Sequence, residues 1–162
     1  TFSPLLGDSN QINDIDIWVE KYEGDTNVLA NKFRRMLDSH YRKHNTHCKE
    51  LKTYCDKYLD GRFSNKIRVI YDFRLISGQK IQMIFTNVTR EEILKTFDMS
   101  FCATSWNGTT FESLYPELTK LKIGFWMNEP TETENTIRKT KYEKRGFHIY
   151  NNKDDIKKSL NL

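Results

Sequence analysis

Polar and apolar residues alternate along DIDIWV, residues 14–19, which predicts a strand with Ile15, Ile17 and Val19 on one face. YEGD breaks that run. Thr26 reads as an N-cap, and Leu29, Phe33, Met36, Leu37 and Tyr41 recur at helical spacing, predicting an amphipathic helix over about 27–43. The same logic predicts a second helix over about 46–59, with Leu51, Tyr54, Cys55, Tyr58 and Leu59 inward and Gly61 ending it.

The period then changes. KIRVIYDFRLI (66–76) and KIQMIFTNV (80–88) read as strands joined by SGQ, hence a hairpin. Thr89 with Glu92 has the form of a capping box for a short helix over 90–96. FDMSFCATSW, 97–106, reads as another strand, stopped by Asn107-Gly108. Residues 109–128 divide into a strand near Thr109–Phe111, a short helix at 114–120 and the apolar run KIGFWM. Thr131 with Glu134 forms a second capping box after Pro130, opening a helix to about Lys144 that Gly146 ends, and a last helix fits 153–160. No repeat or low-complexity linker interrupts this order. It implies an α+β fold, a mixed sheet flanked by helices, in a single domain over 1–162 with a basic helical part at 137–162.

Composition changes this picture only at its edges. At 162 residues, 37% hydrophobic and 30% charged, the chain suits one globular domain, and no apolar run approaches the roughly 20 residues of a membrane span. No membrane partner is expected. Three cysteines, Cys48, Cys55 and Cys102, suit reduced thiols and a cytoplasmic or otherwise intracellular setting. The chain opens on Thr1 rather than Met, as a piece of something longer or a processed form would. The net charge is +4, and cations thicken at Arg34, Arg35, Arg42 and Lys43 and again at Arg138, Lys139, Lys141, Lys144 and Arg145. Such clusters either solvate a helix face or hold phosphates.

The candidate chemistry is acidic. Side chains at i and i+2 of a strand point the same way, so Asp14 and Asp16 project together, roughly 6–7 Å apart. Two like charges at that distance call for water or a cation between them. Paired aspartates are the hard oxygen ligands that Mg²⁺ prefers, and two-metal phosphoryl-transfer sites are built this way. Asp98 is the candidate third acid: in FDMSFC, Phe97, Met99 and Phe101 form an apolar face and Asp98, Ser100 and Cys102 the other. The bland alternative makes Asp14 and Asp16 guards of an edge strand and Asp98 an ordinary solvated acid.

Here the chain resembles the polymerase-β-like nucleotidyltransferase superfamily. LLGDSNQINDIDIWV is similar to the family's loop and Asp-x-Asp strand. KIQMIF, a short helix and FDMSFC resemble the strand leading to its third acid. IRKTKYEKRGFHI, 137–149, looks like the basic C-terminal signature of members found among large DNA viruses and their hosts. The likeness spans about 5–149. It implies a viral-type, metal-dependent enzyme that moves a nucleoside monophosphate from an NTP to a hydroxyl acceptor. Asp14 and Asp16 would hold Mg²⁺ or Mn²⁺, and Asp98 would hold one ion and help activate the acceptor. The family's Gly-Ser pair, which grips the NTP phosphates, would sit just before Thr1 and is not in this chain, and Gly7-Asp8-Ser9 reads as loop. A catalytically inactive module of a larger assembly is therefore the first alternative.

Arg138, Lys141 and Arg145 share one helical face and are the expected contacts for the triphosphate or for a nucleic-acid acceptor. A nucleic-acid-binding domain without catalysis is the second alternative. Trp106, Trp126, Tyr142 and Phe147 are candidates for base stacking or for core. His44, Cys48 and Cys55 share a helical face, but match no standard zinc spacing. Gln82 would position a carboxylate if its strand neighboured Asp14 and Asp16.

Overall fold

The strand read over 80–88 is observed as Lys80–Thr86 and is one of the two central strands of a four-stranded sheet. The structure, a computed structural model, describes residues 14–42, 49–54, 61–75 and 78–159, and for 41–42 and 49–54 the backbone alone. These residues fall into two compact units, one within Ile12–Arg90 and one within Glu91–Leu162, where the sequence reads as one domain.

In the first unit, β1 (Asp14–Val19), α1 (Thr26–Arg42), β2 (Lys49–Tyr54), β3 (Ile67–Arg74) and β4 (Lys80–Thr86) build a mixed sheet of order β1-β4-β3-β2. β1 runs parallel to β4, and β3 runs antiparallel to both β4 and β2. The β3–β4 hairpin closes as expected: the Leu75 and Gly78 amides donate to Gln79 O and Leu75 O, and Gly78 takes φ +87°, which a side chain disfavours.

Asp25, not Thr26, caps α1, its Oδ1 accepting from the Asn27 amide at 2.8 Å. Helical spacing brings Leu29, Ala30, Phe33 and Leu37 onto the sheet face formed by Ile17, Val19, Val69, Tyr71, Phe73, Ile81, Met83 and Phe85. Tyr71, Phe73 and Phe85 are fully buried, and each such side chain stabilises the unit by roughly 1.5–3 kcal/mol. The buried Tyr71 hydroxyl donates to Asn27 Oδ1 at 2.8 Å, so its polar end is satisfied.

The helix expected over 46–59 is a correction: Lys49–Tyr54 is strand β2, antiparallel to β3. KELKTY is short and largely polar, and the free edge of β3 supplies a backbone ladder that local helical spacing does not reveal. The remainder of that expected helix, with Cys48 and Cys55, lies outside the described residues.

The second unit holds most of α2 (Arg90–Thr96), then β5 (Thr104–Trp106), β6 (Phe111–Ser113), α3 (Pro116–Lys120), β7 (Ile123–Phe125), α4 (Glu132–Glu143), β8 (His148–Tyr150) and α5 (Lys153–Ser159). β5 and β6 form an antiparallel hairpin whose turn is held by Asn107 Oδ1, which accepts from the amides of Thr109 and Thr110. β7 and β8 pair in parallel, although the sequence pattern carries no strand signal at β8.

The strand expected over 97–106 is also corrected. Met99 makes one antiparallel bridge to Trp126, Ser100–Cys102 is a 3₁₀ turn, and only Thr104–Trp106 is a strand. The turn places Phe101 among Met99, Trp126, Phe147 and Ile149, the buried core of this unit. Phe101 lies against Gly124 so closely that a Cβ there would come within 2.5 Å of its ring. α4 opens on the expected capping box of Thr131 and Glu134. It closes where the Phe147 amide donates to Tyr142 O and Gly146 takes φ +84°. Together the units make the chain a mixed α+β protein.

Candidate functional site

Register decides what surrounds the aspartate pair. β1 and β4 place Asp14 beside Lys80 and Asp16 beside Gln82, and β4 and β3 place Gln82 beside Asp72 and Lys80 beside Arg74. Residues directly opposite across neighbouring strands share a face. Asp16, Gln82 and Asp72 therefore form one row across three strands, and Asp14, Lys80 and Arg74 the next. This is the face away from α1. Further along it the row becomes apolar, with Trp18, Phe63, Ile67, Ile70 and Ile84 packed together. The face is thus half hydrophobic and half charged, and the charged end holds three carboxylates.

The condition set for Gln82 is met, since its strand neighbours the aspartate pair, but its amide positions a different acid: Nε2 donates to Asp72 Oδ1 at 2.6 Å. Lys80 Nζ lies 3.9 Å from the same oxygen. Asp14 and Asp16 are exposed. Although the residue as a whole is exposed, partial desolvation against the sheet pushes the Asp16 carboxyl above the usual aspartate range, the charges of Asp14 and Asp72 push the same way, and Lys80 pulls it back. At this end of the face three carboxylates, Asp14, Asp16 and Asp72, meet two cations, Lys80 and Arg74, which leaves one positive charge lacking. A hard divalent cation suits that deficit and that donor set, although among the described residues no three Asp, Glu, His or Cys side chains converge into a ready-made metal cage.

Asp72 is the acid that sequence reasoning missed. Its signal was present: an aspartate between Tyr71 and Phe73 in an otherwise apolar strand, the same kind of interruption that singled out Asp98.

Asp98 belongs to the other unit and has its own partner. It is 3% exposed, and Arg138 grips it: Nη2 donates to Oδ1 at 3.0 Å while Nε lies against Oδ2. The Met99 amide also donates to Oδ1, at 2.9 Å. A buried carboxylate is tolerated when so paired. The Arg138 guanidinium, expected at a phosphate, is thereby engaged within the protein, and its carbon stands 5.6 Å from the Tyr142 ring centroid. Lys141 and Arg145 flank the same ring at 5.6 and 5.4 Å, so the expected shared face is real.

Beneath them, Cys102 Sγ and the Tyr142 hydroxyl lie 3.6 Å apart. Burial, then the Asp98 charge, pushes the Cys102 thiol up to about 11, against the pull of Tyr142 and the nearby cations. Burial and the neighbouring Cys102 also raise the Tyr142 hydroxyl. Both stay neutral near pH 7, so neither is an activated nucleophile.

Of the aromatics weighed for stacking, Trp126 and Phe147 are core, Tyr142 packs on Phe101 and Phe147, and Trp106 is 51% exposed beside Phe111. His44 and the cysteines at 48 and 55 lie outside the described residues. Among the described residues no helix is long and apolar enough to cross a membrane. No protein family, curated protein or solved structure matches the chain.

Proposed function

We propose that this chain is a divalent-metal-dependent nucleotidyltransferase that moves a nucleoside monophosphate from an NTP to a hydroxyl acceptor. The observation that supports this most is the charged row itself: Asp14 and Asp16 side by side at the exposed end of β1, with Asp72 on the same face two strands away. Carboxylates set so close are unfavourable unless a cation neutralises them. Asp14 and Asp16 would hold Mg²⁺ or Mn²⁺, as the sequence implies, and Asp72 takes the third-acid role in place of Asp98, whose oxygens are held by Arg138. A bound divalent ion supplies charge neutralisation for the triphosphate and for the attacking oxygen.

In the transfer, the acceptor oxygen bonds to the α-phosphorus, the bond to the β-phosphate bridging oxygen breaks, and pyrophosphate leaves. The acceptor's proton passes to a carboxylate of the row. Asp16→Ala in the full-length protein should abolish incorporation of labelled nucleotide while the circular dichroism spectrum is unchanged. Incorporation that persists in that variant rules out the assignment.

A second reading is a non-catalytic module that binds nucleic acid through α4, favoured by Lys141 and Arg145 flanking Tyr142 in a basic stretch that includes Lys139 and Lys144. It predicts binding that weakens steeply with salt and is lost when Lys141 and Arg145 are neutralised, with Asp16→Ala harmless.

A further inference from the structure

The charged row already contains a cation. Lys80 stands on β4 directly beside Asp14 on β1, and its ammonium lies 3.9 Å from Asp72 Oδ1. That oxygen also receives the Gln82 amide. Lys80 and Gln82 together hold Asp72 over β4. We propose that Lys80 is the resident counter-cation of the acidic row, which an incoming divalent ion must displace from Asp72, so that Lys80 sets how tightly the row takes the metal. This rests on the metal-dependent reading above.

Two observations favour this role over that of a phosphate contact. Lys80 is 24% exposed at its side chain and Asp72 17%, so the pair is partly shielded from water and the contact is not a loose surface ion pair. Lys80 is centred in the row, between Asp14 and Arg74 across the strands, rather than at its outer rim. A lysine can yield where an arginine fork would hold on, because its point charge makes no bidentate fit to a carboxylate.

The experiment is Mn²⁺ binding to the purified full-length protein, read from the paramagnetic resonance signal of free Mn²⁺ and, in parallel, from quenching of tryptophan fluorescence, to which Trp18 contributes from the same face two residues beyond Asp16. Lys80→Gln should tighten Mn²⁺ binding by about threefold or more, the effect of removing one partly screened competing charge. Lys80→Arg, which keeps the charge and serves as the check if Lys80→Gln folds poorly, should bind Mn²⁺ no more tightly than the wild type. If the wild type binds Mn²⁺ and Lys80→Gln binds it equally or more weakly, Lys80 is not the competitor, while the metal reading stands. Tightening in Lys80→Arg equal to that in Lys80→Gln also overturns the counter-cation role, because charge would not be the cause. If neither the wild type nor Lys80→Gln binds Mn²⁺, the metal reading fails and this inference with it.

Discussion

Arg138 closes on both oxygens of the buried Asp98 across forty positions of sequence. The sequence points the one to a metal and the other to a phosphate, whereas in the fold they pair with each other. Arg138 is about one-third exposed while Asp98 is sealed, so the pair buries mainly the negative charge.

Removing the cation leaves that carboxylate uncompensated. Arg138→Ala should destabilise the protein by about 3 kcal/mol, the lower end for a broken buried pair because water reaches the arginine side. Urea unfolding measures this, and a loss below about 1 kcal/mol would show that Asp98 is solvated without its partner. Asp98→Asn should lower stability without changing the Mg²⁺ concentration needed for any transfer activity.

The Asp16 carboxyl is raised in the folded state, by burial first and by Asp14 and Asp72 after it. The folded protein therefore binds the proton more tightly than the unfolded chain does. The stability linked to this group is fully present below the ordinary aspartate range and is lost as pH rises through the folded value. Asp16→Asn should consequently gain stability relative to the wild type near pH 7, with the advantage vanishing on acidification. Thermal melts of both proteins across pH 3–8 test the sign. An Asn variant that is less stable at neutral pH contradicts it.

Gly124 has Phe101 ring carbons where a Cβ would go. Gly124→Ala should cost about 1–3 kcal/mol, since the ring is locked between Phe147 and Tyr142 and has no space to retreat. An unchanged melting temperature would mean that the 3₁₀ turn at Ser100–Cys102 is not packed as described.

Cys102 should resist alkylation in the native state. Its thiol is pushed up to about 11 by burial and the Asp98 charge, so little thiolate exists at pH 8. Peptide mapping after iodoacetamide treatment, with and without urea, separates this residue from the other cysteines. Labelling as fast in buffer as in urea would show an accessible thiol.

Alternation and helical spacing were enough to place β1, α1, the β3–β4 hairpin and α4, because each pattern is complete within one segment. Capping chemistry is equally local, and the Thr131–Glu134 box reads directly from four residues. The short strands β2 and β8 were not readable, since three to six residues take the strand conformation only when a partner edge is present.

The sequence by itself determined that Asp14 and Asp16 share a face, a property of any strand. Which other acid shares that face is a matter of register. Asp72, Gln82 and Asp16 fall into one row only because β4 pairs with β3 on one side and β1 on the other. Asp98 looked equivalent in its own segment, and only the packing of α4, which brings Arg138 to it, gave it a structural role. Side-chain direction follows from the local backbone, whereas a charge's partner depends on which distant segments the core brings together.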